Sequence, residues 1–148
     1  YFSDINKKLI DTYTSIKNNC DEVIKELKKK EYTNNKESFL KIRTKFNEQN
    51  DSIITSAMFI YLNKCCFNGL YRENSSGGFN VPFGDMKNPI ICDENLLQSV
   101  SSYLENVDIK CQNYSEIEPI ENDLVYFDPP YHQTFSSYSK NIPILSVR

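Results

Sequence analysis

The sequence predicts an α/β domain, and three observations lead there. Leu124 to Phe127 form a short apolar run that ends in Asp128-Pro129-Pro130. That is the pattern of a strand covered on both faces, which must leave its sheet where prolines supply no N–H. "VDIKC", residues 107–111, alternates apolar and polar side chains as a second strand. Ahead of both, apolar residues recur at three- and four-residue spacing, the period of helices that bury one face.

The elements follow in order. Tyr1 and Phe2 read as the tail of a strand ending at Asp4. The next helix sets Ile5, Leu9, Tyr13 and Ile16 on one face, and Asn18-Asn19 is expected to close it. A second amphipathic helix carries Val23, Ile24 and Leu27. Thr33-Asn34-Asn35 is a loop that caps a third, bearing Phe39, Leu40, Ile42 and Phe46. Asp51 or Ser52 caps a fourth, with Ile54, Met58, Tyr61 and Leu62 inward. From Cys65 to Pro89 the helical period stops and all four glycines occur, which predicts a long ordered loop or hairpin. Its aromatics (Phe67, Tyr71, Phe79, Phe83) argue against disorder, and loops of this length are usually functional. A helix resumes near Asp93 with Leu96, Leu97, Val100 and Leu104, and the two strands follow.

At 148 residues the chain is long enough for one good core. The longest apolar run, Ala57 to Leu62, is far too short to span a membrane. Asp4, Lys7 and Lys8 interrupt any signal-peptide core. Five cysteines, none in a C-x-x-C pair, read as free thiols in a reducing compartment, and a single histidine gives no zinc pattern. The net charge of −3 argues against a generally basic nucleic-acid binder, but the charges are segregated. Lys25 to Lys45 holds eight basic residues against three acids, and Asp93 to Asp123 holds eight acids against Lys110. One basic face on an acidic protein is compatible with that distribution, as are ordinary solvated lysine-rich helices.

Two stretches carry chemistry. In "DLVYFDPPY", Asp128 and Pro129 each precede a proline and are pushed towards extended geometry. A rigid carboxylate, free carbonyls and the Tyr131 ring then stand at the carboxyl end of a strand, where open α/β sheets bind ligands. The group suits a planar ligand with an NH2, and an Asp-Pro turn would carry the same residues. In "YLNKCCFNGLYRENSSGGFNVPFGDMKNP", polar residues and an aromatic beside Asn-Gly suit reading base edges, and a hairpin packing its own aromatics would look alike.

The long segment resembles the DNA-binding hairpin of the Dam family of DNA-adenine methyltransferases. The residues that carry the resemblance are Leu62-Asn63-Lys64, Phe67-Asn68-Gly69-Leu70, Arg72, Asn74 and Gly78 through Gly84. Asp-Pro-Pro-Tyr is similar to the catalytic motif of amino-methyltransferases that act on DNA bases. "YFSDINKKLIDTY" looks like the family's second strand and following helix, so the likeness runs in family order from Tyr1 to Tyr131.

The resemblance implies a Rossmann-like, S-adenosylmethionine-dependent methyltransferase fold with an inserted helical and hairpin target-recognition region. It divides the chain into a partial cofactor-binding core (1–24), a DNA-binding region (25–92, hairpin 63–88) and a catalytic segment (93–148). The implied activity is methylation of the exocyclic amine of an adenine flipped out of duplex DNA, with S-adenosylmethionine as donor. Asp128, Pro129, Pro130 and Tyr131 would be catalytic, and Asp4 and Asp128 would face the cofactor, Asp4 through the ribose hydroxyls. Phe67 would insert into the duplex with support from Asn68. Leu70, Arg72 and Pro82 would read bases, and Lys64, Asn74 and Lys87 would contact phosphates or neighbouring groups. Double-stranded DNA is the expected partner, with no membrane and no metal, for a monomer in the cytoplasm of a bacterial, phage or viral system. GATC is the target the family suggests, and restriction-modification is one of its settings.

Four features depart from the family pattern. Lys64 stands where Arg is usual, which keeps charge but loses the two-pronged fork. Asp85 and Met86 replace a basic residue and an aromatic. After Tyr131 only Phe135 and Tyr138 echo the family. The family's F-x-G-x-G cofactor loop has no counterpart, since the sequence contains no G-x-G. The sequence therefore reads as a fragment of such an enzyme, the alternative being a DNA-binding remnant that has lost catalysis.

Overall fold

The computed structural model describes residues 1–127. Asp128, Pro129, Pro130 and Tyr131 lie outside the described residues, as do Phe135 and Tyr138. Two short strands, β1 (Phe2–Asp4) and β2 (Ile109–Cys111), pair in parallel with Asp4 opposite Cys111. Everything between them is helix and hairpin: α1 (Lys7–Leu27), α2 (Lys36–Glu48), α3 (Ser52–Cys65) and α4 (Glu94–Leu104), with short 3₁₀ turns at Phe67–Gly69 and Tyr114–Glu116. Helices around a small parallel sheet are consistent with an α/β fold.

Each helix starts where its sequence offers a cap. The side-chain oxygens of Asn6, Asn35, Asp51 and Asp93 accept from the amides of Leu9, Ser38, Ile54 and Leu96, satisfying donors that the first turn leaves open. Glu37 in the first turn of α2 and Lys45 in its last complement the helix dipole. α4 packs on α1, and the helix packed against both α1 and α2 is α3. Its residues Ala57, Met58, Tyr61, Leu62 and Cys65 join Val23, Phe39, Ile42 and Phe46 in one continuous core.

Two expectations need correction. Asn18-Asn19 does not end a helix: α1 runs through to Leu27 with a kink at Asn19, whose φ of −142° and ψ of 42° are not helical. The apolar faces on either side still point at the core, so packing carries the helix across the kink. Leu40 and Leu96, counted among the apolar residues of their helices, are exposed, while their neighbours Phe39 and Leu97 are buried. Finally, Leu124 to Phe127 form no strand, and Leu124 is 99% exposed. An apolar run becomes a buried strand only beside a strand that pairs with it, and among the described residues β1 and β2 pair only with each other.

Half of the basic residues in the stretch from Lys25 to Lys45 are held in ion pairs. Lys28 pairs with Glu94, Lys29 with Glu26, Lys41 with Glu37 and Lys45 with Glu31. Apart from Glu26, which is buried, the partners are exposed and such pairs contribute little to stability, and all four lower the net field that these lysines present. All five cysteines are free thiols. No helix among the described residues is long and apolar enough to cross a membrane.

Candidate nucleic-acid interface and cofactor cleft

The hairpin is built at the end of α3. Cys66 closes the helix by donating its N–H to the Leu62 carbonyl, and it forms an antiparallel bridge with Phe83. The Phe67 amide donates to the Pro82 carbonyl at 2.9 Å and the Gly84 amide to the Cys65 carbonyl at 2.9 Å. Further out, the Asn80 amide donates to the Arg72 carbonyl and the Asn74 amide to the Gly78 carbonyl. At the tip, the Asn74 side-chain oxygen accepts from the amides of Ser76 and Gly78 and from the Ser76 hydroxyl. Gly77, at φ +80°, makes the reversal.

Strand alternation sorts the two faces of this ribbon. Phe79 and Val81 are buried and Phe83 partly so. Phe79 packs on Phe46, Phe83 on Phe39, and Tyr71 stacks on Phe59 at 5.4 Å. The residues out of phase with these, Leu70, Arg72, Asn74 and Pro82, are exposed. Lys64, Asn68 and Lys87 are exposed as well, and Phe67 is 51% exposed. Asn68 (φ +53°) and Gly69 (φ +62°) form the left-handed turn beside it, tied by the Asn63 side-chain Nδ2 donating to the Gly69 carbonyl. All eight residues expected to meet DNA thus lie exposed on or beside one hairpin. Asp85 is exposed too, in the left-handed region (φ +50°) that Asp tolerates better than most residues.

What the sequence did not reveal is how the ribbon is held. From α2, the Asn47 side chain grips Phe79 twice, accepting from its amide (2.9 Å) and donating to its carbonyl (3.2 Å). Arg43 donates to the Val81 carbonyl, and Asn34, in the loop before α2, donates to the Met86 carbonyl. A helix face supplies the pairing that a third strand would give. Polar residues on an amphipathic helix otherwise read as solvated, so no local signal marks them.

Asp4 sits half-buried at the carboxyl end of β1. Its Oδ1 accepts from the Asn6 amide at 2.6 Å, which sets the turn into α1, and its carbonyl accepts from the Gln112 amide. An open cleft of about 1580 Å³ begins here, lined by Asp4, Asn6, Tyr71, Glu73, Lys110 and Phe127 among others. The inner face of the hairpin therefore shares one cleft with the strand end and with the residue just before Asp128. Burial pushes the Tyr71 phenol above its usual range, and its hydroxyl donates to Glu73 at 2.6 Å. Lys8 lies 3.9 Å above the Phe46 ring and donates to the Phe46 carbonyl. Burial lowers its pKa, partly offset by Glu73.

The model of the D12 class N6 adenine-specific DNA methyltransferases matches residues 1–142. The type II methyltransferase M.MjaIII of Methanocaldococcus jannaschii is 41% identical over 93% of this chain and 54% of its own. The DNA adenine methylase of Vibrio cholerae is 35% identical over 94% and 53%, and that of Escherichia coli K12 36% identical over 87% and 48%. The chain spans about half the length of these relatives. By the extent of the family match and the identity to its relatives, the chain belongs to the D12 class N6 adenine-specific DNA methyltransferases.

Proposed function

We propose that this chain is the target-recognition and catalytic part of an enzyme that methylates the exocyclic amine of adenine in duplex DNA. The observation that carries the reading is the outward face of the hairpin, which presents Phe67, Leu70, Arg72, Asn74 and Pro82 together beside a cleft edged by Asp4 and Phe127. Arg72 suits a guanine edge, and Leu70 and Pro82 suit a thymine methyl. Phe67 suits the gap left by an extruded base. Lys64 and Lys87 supply phosphate contacts, as does the amide NH2 of Asn74, whose oxygen is already committed to the tip.

The half-buried Asp4 carboxylate at a parallel strand end is of the chemistry that holds ribose hydroxyls, and the aromatic cleft fits a nucleoside. S-adenosylmethionine, when bound, supplies an electrophilic methyl on a sulfonium. The adenine amine is a poor nucleophile because its lone pair delocalises into the ring. Asp128 and the Pro129 carbonyl each accept one amine hydrogen, favouring pyramidal nitrogen, and Tyr131 stacks on the base. With that donor bound, the amine lone pair would take the methyl from sulfur, and Asp128 would receive the amine proton or pass it to solvent. Orientation and hydrogen bonding dominate, because the positive charge moves rather than builds up.

Two substitutions in the full protein test this. Asp128→Ala should reduce single-turnover methylation at least about a hundredfold, with DNA affinity retained. Asp128→Asn keeps a carbonyl acceptor and should retain measurable turnover. If Asp128 only formed a turn, its loss would leave turnover intact and lower stability by about 0.5–2 kcal/mol. That outcome, read from melting and methylation of the same variants, would remove the catalytic assignment.

A further inference from the structure

On the reading that Arg72 meets a guanine, we propose that Asn80 is a positioning residue for target specificity, holding the Arg72 guanidinium edge-on for the base. The Arg72 Nε donates to the Asn80 Oδ1 at 2.8 Å, and its Nη2 reaches the Asn80 carbonyl at 3.4 Å. These two contacts occupy the side edge of the guanidinium. The end edge, with one N–H from each Nη, is the two-pronged fork that guanine O6 and N7 accept. Asn80 thus selects which edge is presented, and it immobilises a long side chain before DNA arrives.

Asn80 is itself placed by the fold. Its amide donates to the Arg72 carbonyl, so the two residues face each other across the hairpin. The residues on either side are pinned from α2, Phe79 by Asn47 and Val81 by Arg43. The backbone that projects Asn80 is therefore anchored at both neighbours. Neither the Arg72 side chain nor its exposed surroundings offers that rigidity alone.

The test uses a randomised duplex library bound by the full protein, with the bound fraction sequenced, for wild type, Arg72→Ala, Asn80→Ala and Asn80→Asp. The position where Arg72→Ala erases a guanine preference is the one Arg72 reads. Asn80→Ala should lower the guanine preference at that position about tenfold and leave the other positions and the melting temperature unchanged. Asn80→Asp keeps the acceptor and should retain the preference, with weaker binding to all DNA from its added charge. A uniform loss across sequences for Asn80→Ala would make Asn80 a phosphate contact or a structural residue, and would overturn the proposal. A wild-type profile with no Arg72-dependent guanine would overturn it together with the base-reading role of Arg72, leaving the methylation reading to stand or fall on Asp128.

Discussion

At Gly84 the chain passes so close to the end of α3 that a side chain has no room. A Cβ there would lie 2.4 Å from the Cys66 carbonyl oxygen and 2.9 Å from the Phe67 nitrogen, both backbone atoms that cannot rotate away. The approach lets the Gly84 amide reach the Cys65 carbonyl, and it closes the base of the hairpin beside Phe67. Gly84→Ala should force the two limbs apart at that base, costing about 1–3 kcal/mol from overpacking. It should also weaken DNA binding by displacing Phe67, although residue 84 itself touches no base on this reading. Thermal melting and anisotropy titration with a duplex check both effects, and an unchanged melting temperature would show that the base can open without penalty. The requirement was only half legible. Glycine beside Val81-Pro82-Phe83 signals a turn, but a contact with α3 depends on how the ribbon folds back.

At the scale of elements, the hairpin is a two-stranded ribbon, which is marginal by itself. Its support comes from α2, and Asn47 is the principal link. The Phe79 side chain is buried against Phe46, so without Asn47 its amide and carbonyl would be left in a poorly hydrated place. Asn47→Ala should cost about 1–3 kcal/mol, the penalty of stranding such groups. The loss should be local. Hydrogen exchange at the Phe79 amide should accelerate, while the α3 core amides around Met58 keep their protection. Equal acceleration in both places would mean that hairpin and helices open as one unit. Sequence periodicity located α2 through Phe39, Ile42 and Phe46 and, by stopping, left a loop or hairpin from Cys65 to Pro89, while the hairpin at 63–88 came from the family resemblance. It was silent on their docking, because Asn47 and Arg43 lie on the polar side of the helix pattern and make their contacts to backbone more than thirty residues away.

For the whole molecule, what could be read from sequence tracks how local each determinant is. Caps at Asn35, Asp51 and Asp93 depend on three-residue spacings, and they were identifiable. The β1–β2 pairing joins residues more than a hundred apart, so only the strands and not their register could be expected. Leu124 to Phe127 failed as a strand because its apolar pattern says nothing about whether a partner is in place. The core joins α1, α2, α3 and the hairpin into one cluster, and its buried thiols report on that cluster as a unit. Burial, with a smaller contribution from adjacent Cys66, pushes the Cys65 thiol from 9.0 up to about 11. Burial raises Cys20, Cys66 and Cys92 in the same direction. A folded pKa above the unfolded one means that the unfolded chain releases its proton first as pH rises. The contribution is therefore fully present below pH 9 and is lost as pH climbs towards 11. For Cys65 the loss is on the order of 2 kcal/mol. Urea denaturation at pH 8, 9 and 10 should show stability falling across that interval, with a shallower fall in Cys65→Ala. Tyr32 and Tyr61, raised mainly by burial, extend the decline above pH 10, and Lys8, lowered by burial, works against it, so the difference between wild type and Cys65→Ala isolates the thiol. Stability that stays level from pH 8 to 10 would mean that these thiols ionise as readily folded as unfolded, and that the cluster around α3 admits water.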